Sequence, residues 1–243
     1  MESIRSLFRI GHGPSSSHTM GPGLAASQFR ARTLNSHHYH VTLFGSLAAT
    51  GKGHLTDQAI REALNPVAVE FTWNPGEELP MHPNGMIFEA VDDAGKVQDR
   101  WQGYSIGGGA ILAEGETHAG KQVYALNSMQ DILHKCTQDG KTFWEYVEDN
   151  EGRDIWEYLS EILRVMHSGI ERGLNTQGVL PGGLGVSRHA WTMFRKIQMS
   201  GGQLKKEGYL PAYALATAEE NAVGGEIVTA PTCGSAGVLP AEI

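Results

Sequence analysis

The chain has little cysteine, no excess of positive charge and no long apolar run. Two cysteines in 243 residues, Cys136 and Cys233, exclude a disulfide-dense secreted scaffold and point to a reducing cytoplasm. Lys+Arg number 19 against Asp+Glu 27, a formal charge of −8, which argues against general binding to a phosphate backbone. No stretch approaches the roughly 18 consecutive apolar residues of a membrane-crossing helix. The first ten residues carry Glu2, Arg5 and Arg9 and do not read as a signal peptide. Several familiar site patterns are missing too. Gly11-His12-Gly13 starts like a dinucleotide fingerprint, but Ser16 stands at its sixth position and no strand is expected before it. Gly45 to Gly53 is one residue too long for a phosphate loop and ends in Gly53 where Ser or Thr is needed. There is neither a His-Glu-x-x-His nor a Cys-x-x-Cys. His37, His38 and His40 fall on alternating faces of an expected strand and read as a solvated strand edge rather than a metal site.

Glycine, by contrast, is abundant: 31 of 243 residues, against a usual ~7%. Because glycine weakens helices and strands, this excess points to tight turns and close backbone approaches around a site. Up to about Leu126 the pattern is mixed α and β. Residues 20–32 and 56–64 read as helices, the second capped by Thr56 and stopped by Asn65-Pro66. Residues 38–47, 67–73, 85–91 and 96–106 read as strands, the last two joined by a turn at Asp93-Ala94-Gly95. Beyond Leu126 the pattern turns helical, over 128–137, 142–150, 153–173, 190–199 and 212–223. In 153–173, Ile155, Leu159, Ile162, Leu163, Met166 and Ile170 recur at helical spacing. The expected architecture is an α+β domain over 1–126 followed by an incomplete, mainly helical domain over 127–243. The last residues follow directly on a dense loop of small polar residues, as in a truncated chain.

Five motifs carry chemistry. Gly13-Pro14-Ser15-Ser16-Ser17-His18-Thr19 puts four hydroxyls and free backbone N–H groups at an expected helix start. That arrangement suits an anion, with His18 as an adjacent acid or base, although an N-cap alone would also use Ser or Thr. In Thr50-Gly51-Lys52-Gly53-His54-Leu55-Thr56-Asp57, two glycines let the backbone carry His54 close to a ligand, or merely make a strand-to-helix turn. His82 in Met81-His82-Pro83-Asn84-Gly85 is weaker, since Asn-Gly is turn chemistry. Ser105-Ile106-Gly107-Gly108-Gly109 allows close packing of a cofactor or another domain, or a bulge. The fifth is the segment from Glu219-Glu220-Asn221 through Thr232-Cys233-Gly234-Ser235. There small neighbours should leave the Cys233 sulfur accessible as a nucleophile or iron–sulfur ligand, whereas Cys136 reads as helix filler.

These motifs, in this order and across nearly the whole chain, resemble the iron–sulfur L-serine dehydratases. Residues 13–19, 51–57, 82–85 and 105–109 match that family's β domain, and 221–237 the start of its catalytic α domain. The resemblance implies conversion of L-serine to pyruvate and ammonia with a [4Fe–4S] cluster in place of pyridoxal phosphate. Cys233 would be one ligand and the others would lie beyond residue 243. It further implies a cytoplasmic enzyme, a homo-oligomer at full length, binding neither nucleic acid nor membrane. The hydroxyls of Ser15, Ser16, Ser17 and Thr19, with Asn221 and Thr232, would hold substrate. His54 is expected to take the Cα proton, and His18, behind three serines, to position substrate. With two cysteines the chain as it stands is expected to hold no stable cluster and to be an inactive fragment. Three other readings are an amino-acid-binding regulatory module without catalysis, a catalytically dead gene fragment, and a pyridoxal enzyme using Lys52.

Overall fold

A computed structural model describes residues 1–34, 36–116, 120 and 122–243. A short strand, β1 (Ile10–His12), leads into a wide turn at Ser16–Met20 and helix α1 (Gly21–Arg32). Then come β2 (His38–Phe44), α2 (Gly45–Thr50), α3 (Thr56–Leu64) and β3 (Ala68–Asn74). Three more strands complete the sheet: β4 (Gly85–Val91), β5 (Val97–Gly107) and β6 (Ala110–Ala113). Their order is β3-β2-β4-β5-β6. β2 and β3 are parallel, and the crossover such a pair requires is supplied by α2 and α3; the other neighbours are antiparallel.

Alternation explains which face is covered. Tyr39, Val41 and Leu43 point inward and pack with Phe29, Leu47, Ile60, Leu64, Met86 and Phe88 beneath α1 and α3. Each such aliphatic or aromatic side chain contributes about 1.5–3 kcal/mol on burial. His38 and His40 point the other way. They do not lie on a strand edge as expected, because β2 has a neighbour on both sides. His40 Nδ1 sits 3.2 Å from Glu89 and Nε2 2.9 Å from the Thr72 hydroxyl, while His37 pairs with Asp93 at 3.1 Å. The strand expected over 38–47 ends at Phe44. Gly45 turns the chain there with φ +48°, and a Cβ on it would come within 2.4 Å of the Pro83 carbonyl oxygen.

The second half is helical, which bears out the expected α+β part followed by a mainly α-helical one. α4 (Met129–Asp139) and α5 (Phe143–Glu151) form a hairpin, each started by a side-chain cap, Ser128 and Thr142. α6 (Ile155–Asn175) buries Ile155, Ile162, Met166 and Ile170 from the expected stripe, together with Val165 and Leu174; Leu163 faces solvent. α7 (Ala190–Met199) and α8 (Gly202–Ala222) pack on α6. α8 begins ten residues before the expected start and carries Pro211 in its interior. Small residues draw it close to its neighbours: a Cβ on Gly173 of α6 would meet the Ala216 carbonyl at 2.3 Å, and one on Gly208 of α8 would meet Ile197 of α7 at 2.7 Å. β7 (Glu226–Val228) and α9 (Val238–Glu242) close the chain.

The two halves are joined through the first twelve residues. β1 pairs antiparallel with β7, Ile10 opposite Val228 and His12 opposite Glu226. Ser3 Oγ and the Ile4 N–H both donate to Glu151, at 2.7 and 2.8 Å, and the Tyr158 hydroxyl donates to the carbonyls of Arg5 and Phe8. The segment before β1 therefore lies against the helical half, although it opens the expected α+β domain. Among the described residues no helix is long and apolar enough to cross a membrane.

Candidate active site

The Ser-rich turn is held from three sides. Ser15 Oγ accepts the His18 N–H at 3.1 Å and so caps the turn. Thr19 Oγ1 accepts the Ser15 N–H at 3.2 Å and donates to the His54 carbonyl at 2.6 Å; Thr56 Oγ1 donates to the His18 carbonyl at 2.5 Å. Thr56 thus does not cap α3 as expected. That place belongs to Leu55, which adopts a left-handed backbone, φ 58° and ψ 29°, with no side-chain cap. The third tie comes from the far end of the chain. Asn221 Nδ2, at the end of α8, donates to the Pro14 carbonyl at 3.1 Å. Gly13 admits this contact because it has no side chain: a Cβ there would lie 2.2 Å from the Asn221 carbonyl oxygen.

These ties bring the His18 and His54 rings together, centroids 4.8 Å apart and planes tilted by 42°. Both His18 nitrogens are engaged, Nδ1 with Ser17 Oγ at 2.9 Å and Nε2 with Ser46 Oγ at 3.0 Å. Burial, and next the neighbouring His54, hold the His18 pKa below its ordinary value; the Ser46 backbone opposes them. His54 Nδ1 lies 3.0 Å from the Thr50 carbonyl oxygen. A carbonyl can only accept, so Nδ1 carries the proton, and in neutral His54 the Nε2 lone pair is the basic one. No partner for that Nε2 occurs among the described residues.

The expected site residues thus divide. Ser15, Ser17, His18, Thr19, His54 and Asn221 come together, whereas Ser16 is turned inward and buried. Ser15 and Thr19 spend their oxygens on the turn itself, which leaves Ser17 beside the imidazole pair. Thr232 is exposed, its hydroxyl 3.1 Å from Ser235. His82 serves a turn, its Nδ1 accepting the Asn84 N–H at 3.1 Å, and Lys52 lies over the Trp73 ring, 5.4 Å from its centre. The glycines of 107–109 all have positive φ, and Gly108 offers its carbonyl to Arg9 at 2.8 Å, so they serve packing between the halves. A cavity of about 410 Å³ opens beside the turn, lined in part by Arg9, His12, Thr19, Met20 and Glu62; neither imidazole of the pair lines it.

Sequence reasoning missed Ser46, whose contact with His18 spans 28 positions and follows no local pattern. It also missed Arg188, buried together with Glu219 and Glu220. Arg188 Nη2 donates to Glu220 at 2.7 Å, Arg172 Nε donates to the same carboxylate at 3.1 Å, and Glu219 accepts the His189 and Ala190 N–H groups. This cluster fixes the end of α8 from which Asn221 reaches the turn.

The cysteines do not fit a cluster. Cys233 is 2% exposed, not accessible as expected, and burial pushes its thiol up to about 12. Cys136 lies in the α4–α5 hairpin with its thiol toward the Thr142 carbonyl. Among the described residues no three His, Cys, Asp or Glu side chains form a group able to hold a metal ion. A [4Fe–4S] cluster takes three or four thiolates, so the residues present do not form its ligand set.

The serine dehydratase beta chain family matches residues 3–72 and the serine dehydratase alpha chain family matches residues 84–243. The border between the two matches falls inside the five-stranded sheet, ahead of β4. An L-serine dehydratase of Haemophilus influenzae is 33% identical over 100% of this chain and 66% of its own length. L-serine dehydratase TdcG of Escherichia coli is 35% identical over 100% of this chain and 65% of its own, and an L-serine dehydratase of Streptomyces coelicolor 34% over 99% and 65%. The chain spans about two thirds of the length of these curated relatives. It belongs to the serine dehydratase family, with a beta-chain region and an alpha-chain region in one polypeptide.

Proposed function

We propose that this chain is part of an L-serine dehydratase, which removes water from L-serine to give pyruvate and ammonia. The observation that carries the reading is the adjacent imidazole pair His18–His54 on a hydroxyl-lined turn closed by Asn221. The reaction breaks the Cα–H bond and the bond from Cβ to the hydroxyl oxygen. The aminoacrylate so formed tautomerises to an imine that water hydrolyses to pyruvate and ammonia. His54 suits the first step: its Nδ1–H is held by the Thr50 carbonyl, and its Nε2 accepts the Cα proton. His18, held through both nitrogens, orients its neighbour and the substrate rather than carrying a proton away. Ser17, with the N–H groups of Ser16 and Ser17 that the turn does not itself use, holds the carboxylate, and Asn221 Oδ1, without a partner among the described residues, accepts from the ammonium.

The family resemblance implies a [4Fe–4S] cluster as Lewis acid for the departing hydroxide. The residues present do not form that cluster's ligand set, and none of the steps assigned to this chain passes through it. Accordingly the chain alone is not expected to turn over serine. In a polypeptide with the full length of the relatives, His54→Ala should lower kcat by the roughly 10²–10⁴ of lost general-base catalysis. His18→Ala should raise KM as well. An unchanged kcat in His54→Ala, with only substrate affinity lost, would reverse the two roles.

A further inference from the structure

The loop that carries Cys233 is closed upon itself and upon the Ser-rich turn. Ser235 Oγ donates to the Ala230 carbonyl at 2.7 Å, and the Ala236 N–H donates to the Cys233 carbonyl at 3.1 Å. The Cys233 thiol points inward, into a cluster with Ile227, Ala236 and Met20, and its sulfur lies 3.5 Å from the Met20 sulfur. Met20 directly follows Thr19 and stands two residues after His18. Its side chain runs over two glycines: a Cβ on Gly11 would lie 2.4 Å from the Met20 methyl, and one on Gly109 would lie 3.5 Å from Met20 Cβ. Three segments distant in sequence therefore converge on this one thioether: β1, the β5–β6 turn and the 229–237 loop.

We infer that Cys233 is a positioning residue that seats Met20, and with it the Ser15–Thr19 turn, and that it is not a metal-cluster ligand. A buried cysteine behaves as a small apolar group, whereas a ligand or reactive thiolate needs an electropositive, open setting and further thiolates beside it. Nothing in this inference depends on serine being the substrate. The two roles predict different orders of effect. As a ligand, Cys233 would be replaced equally badly by Ala and Ser, and the loss would appear in bound iron. As an apolar contact, it tolerates Ala better than Ser, because Ser buries a hydroxyl with no partner.

Three measurements on the 243-residue chain decide between them. In a Cys136→Ala background, iodoacetamide at pH 8 should alkylate native Cys233 at least tenfold more slowly than the urea-unfolded chain; equal rates would overturn the inference. Anaerobic treatment with ferrous iron and sulfide should leave the same iron content in wild type, Cys233→Ala and Cys233→Ser. An iron–sulfur absorption present in wild type and absent from both variants would overturn it too. With methyl-labelled methionine and ¹⁵N-labelled histidine, Cys233→Ala should shift the Met20 and His18 signals and leave those of His40, on the far face of the sheet, in place. If Met20 and His18 do not move, Cys233 does not seat the turn.

Discussion

Replacing Glu220 by Ala tests the buried charge cluster behind Asn221. The Glu220 and Arg188 side chains are 7% and 4% exposed, and their contact is 2.7 Å. Arg172, 40% exposed, donates to the same carboxylate and to the Glu226 carbonyl, so it keeps a partner and water when Glu220 is gone. Arg188 does not. Its Nη1 already lacks a partner among the described residues, and its remaining contact is with the Glu219 carbonyl at 3.4 Å. Glu220→Ala therefore strands a buried guanidinium, which costs about 3–5 kcal/mol. For a chain of this size that corresponds to a fall in Tm of roughly 6–20 °C, at about 2–4 °C per kcal/mol. The double variant Arg188→Met/Glu220→Leu removes both charges and keeps the volume, so it should recover most of the loss. Urea unfolding followed by circular dichroism reads both. A Glu220→Ala loss below about 1 kcal/mol, or a double variant no better than the single one, would refute a buried pair whose members depend on each other.

Three further outcomes follow from particular contacts. Gly13→Ala should cost about 1–3 kcal/mol by overpacking, since its Cβ would lie 2.2 Å from the Asn221 carbonyl oxygen and 2.3 Å from Asn221 Oδ1; an Asn221→Ala background, which removes only the second contact, should leave a large part of that cost in the same urea assay. His18 has its pKa held below the ordinary 6.5, so the folded state binds fewer protons than the unfolded one. Its contribution to stability is complete above pH 6.5 and lost as the pH falls through the lowered value, and His18→Gln should flatten the fall in urea midpoint between pH 7 and 5 relative to wild type. Thr142→Ala removes the capping box at the start of α5 and should cost about 1 kcal/mol, read as a lower urea midpoint with unchanged slope.

Much of the fold was legible because local periodicity coincided with burial. Tyr39, Val41 and Leu43 alternate into the core, and Ile155, Ile162, Met166 and Ile170 recur along one face of α6. What stayed hidden was decided by partners distant in sequence. β1 is three residues long and becomes a strand only because β7, more than two hundred positions later, supplies its hydrogen bonds. α8 continues through Pro211, where local rules would stop a helix, because Gly173 and Gly208 allow α6 and α7 to approach it closely enough for packing to outweigh propensity. His38 and His40 read as an edge because alternation shows which face a residue takes but not which strands lie beside it.

The site follows the same division. Glycine spacing singled out His54 and the run of hydroxyls singled out His18, since both are local devices for exposing a side chain or donor group. Their close approach depends on Thr56, whose hydroxyl reads as a helix cap, and on Thr19, whose hydroxyl reads as a substrate contact; both in fact bond the opposite loop's carbonyls. Cys233 shows the converse. Small neighbours such as Gly234 and Ser235 leave room around a sulfur, and that room can be filled by solvent, by a ligand or by the protein itself. Here Met20 fills it, an identity that depends on a residue 213 positions away. Glu219 and Glu220 open the fifth sequence motif without a role of their own there, and they are buried, one holding the start of α7 and the other joining two arginines. Such buried acids are costly unless compensated, and their compensation lies at the end of α8, where Asn221 must reach the serine-rich turn.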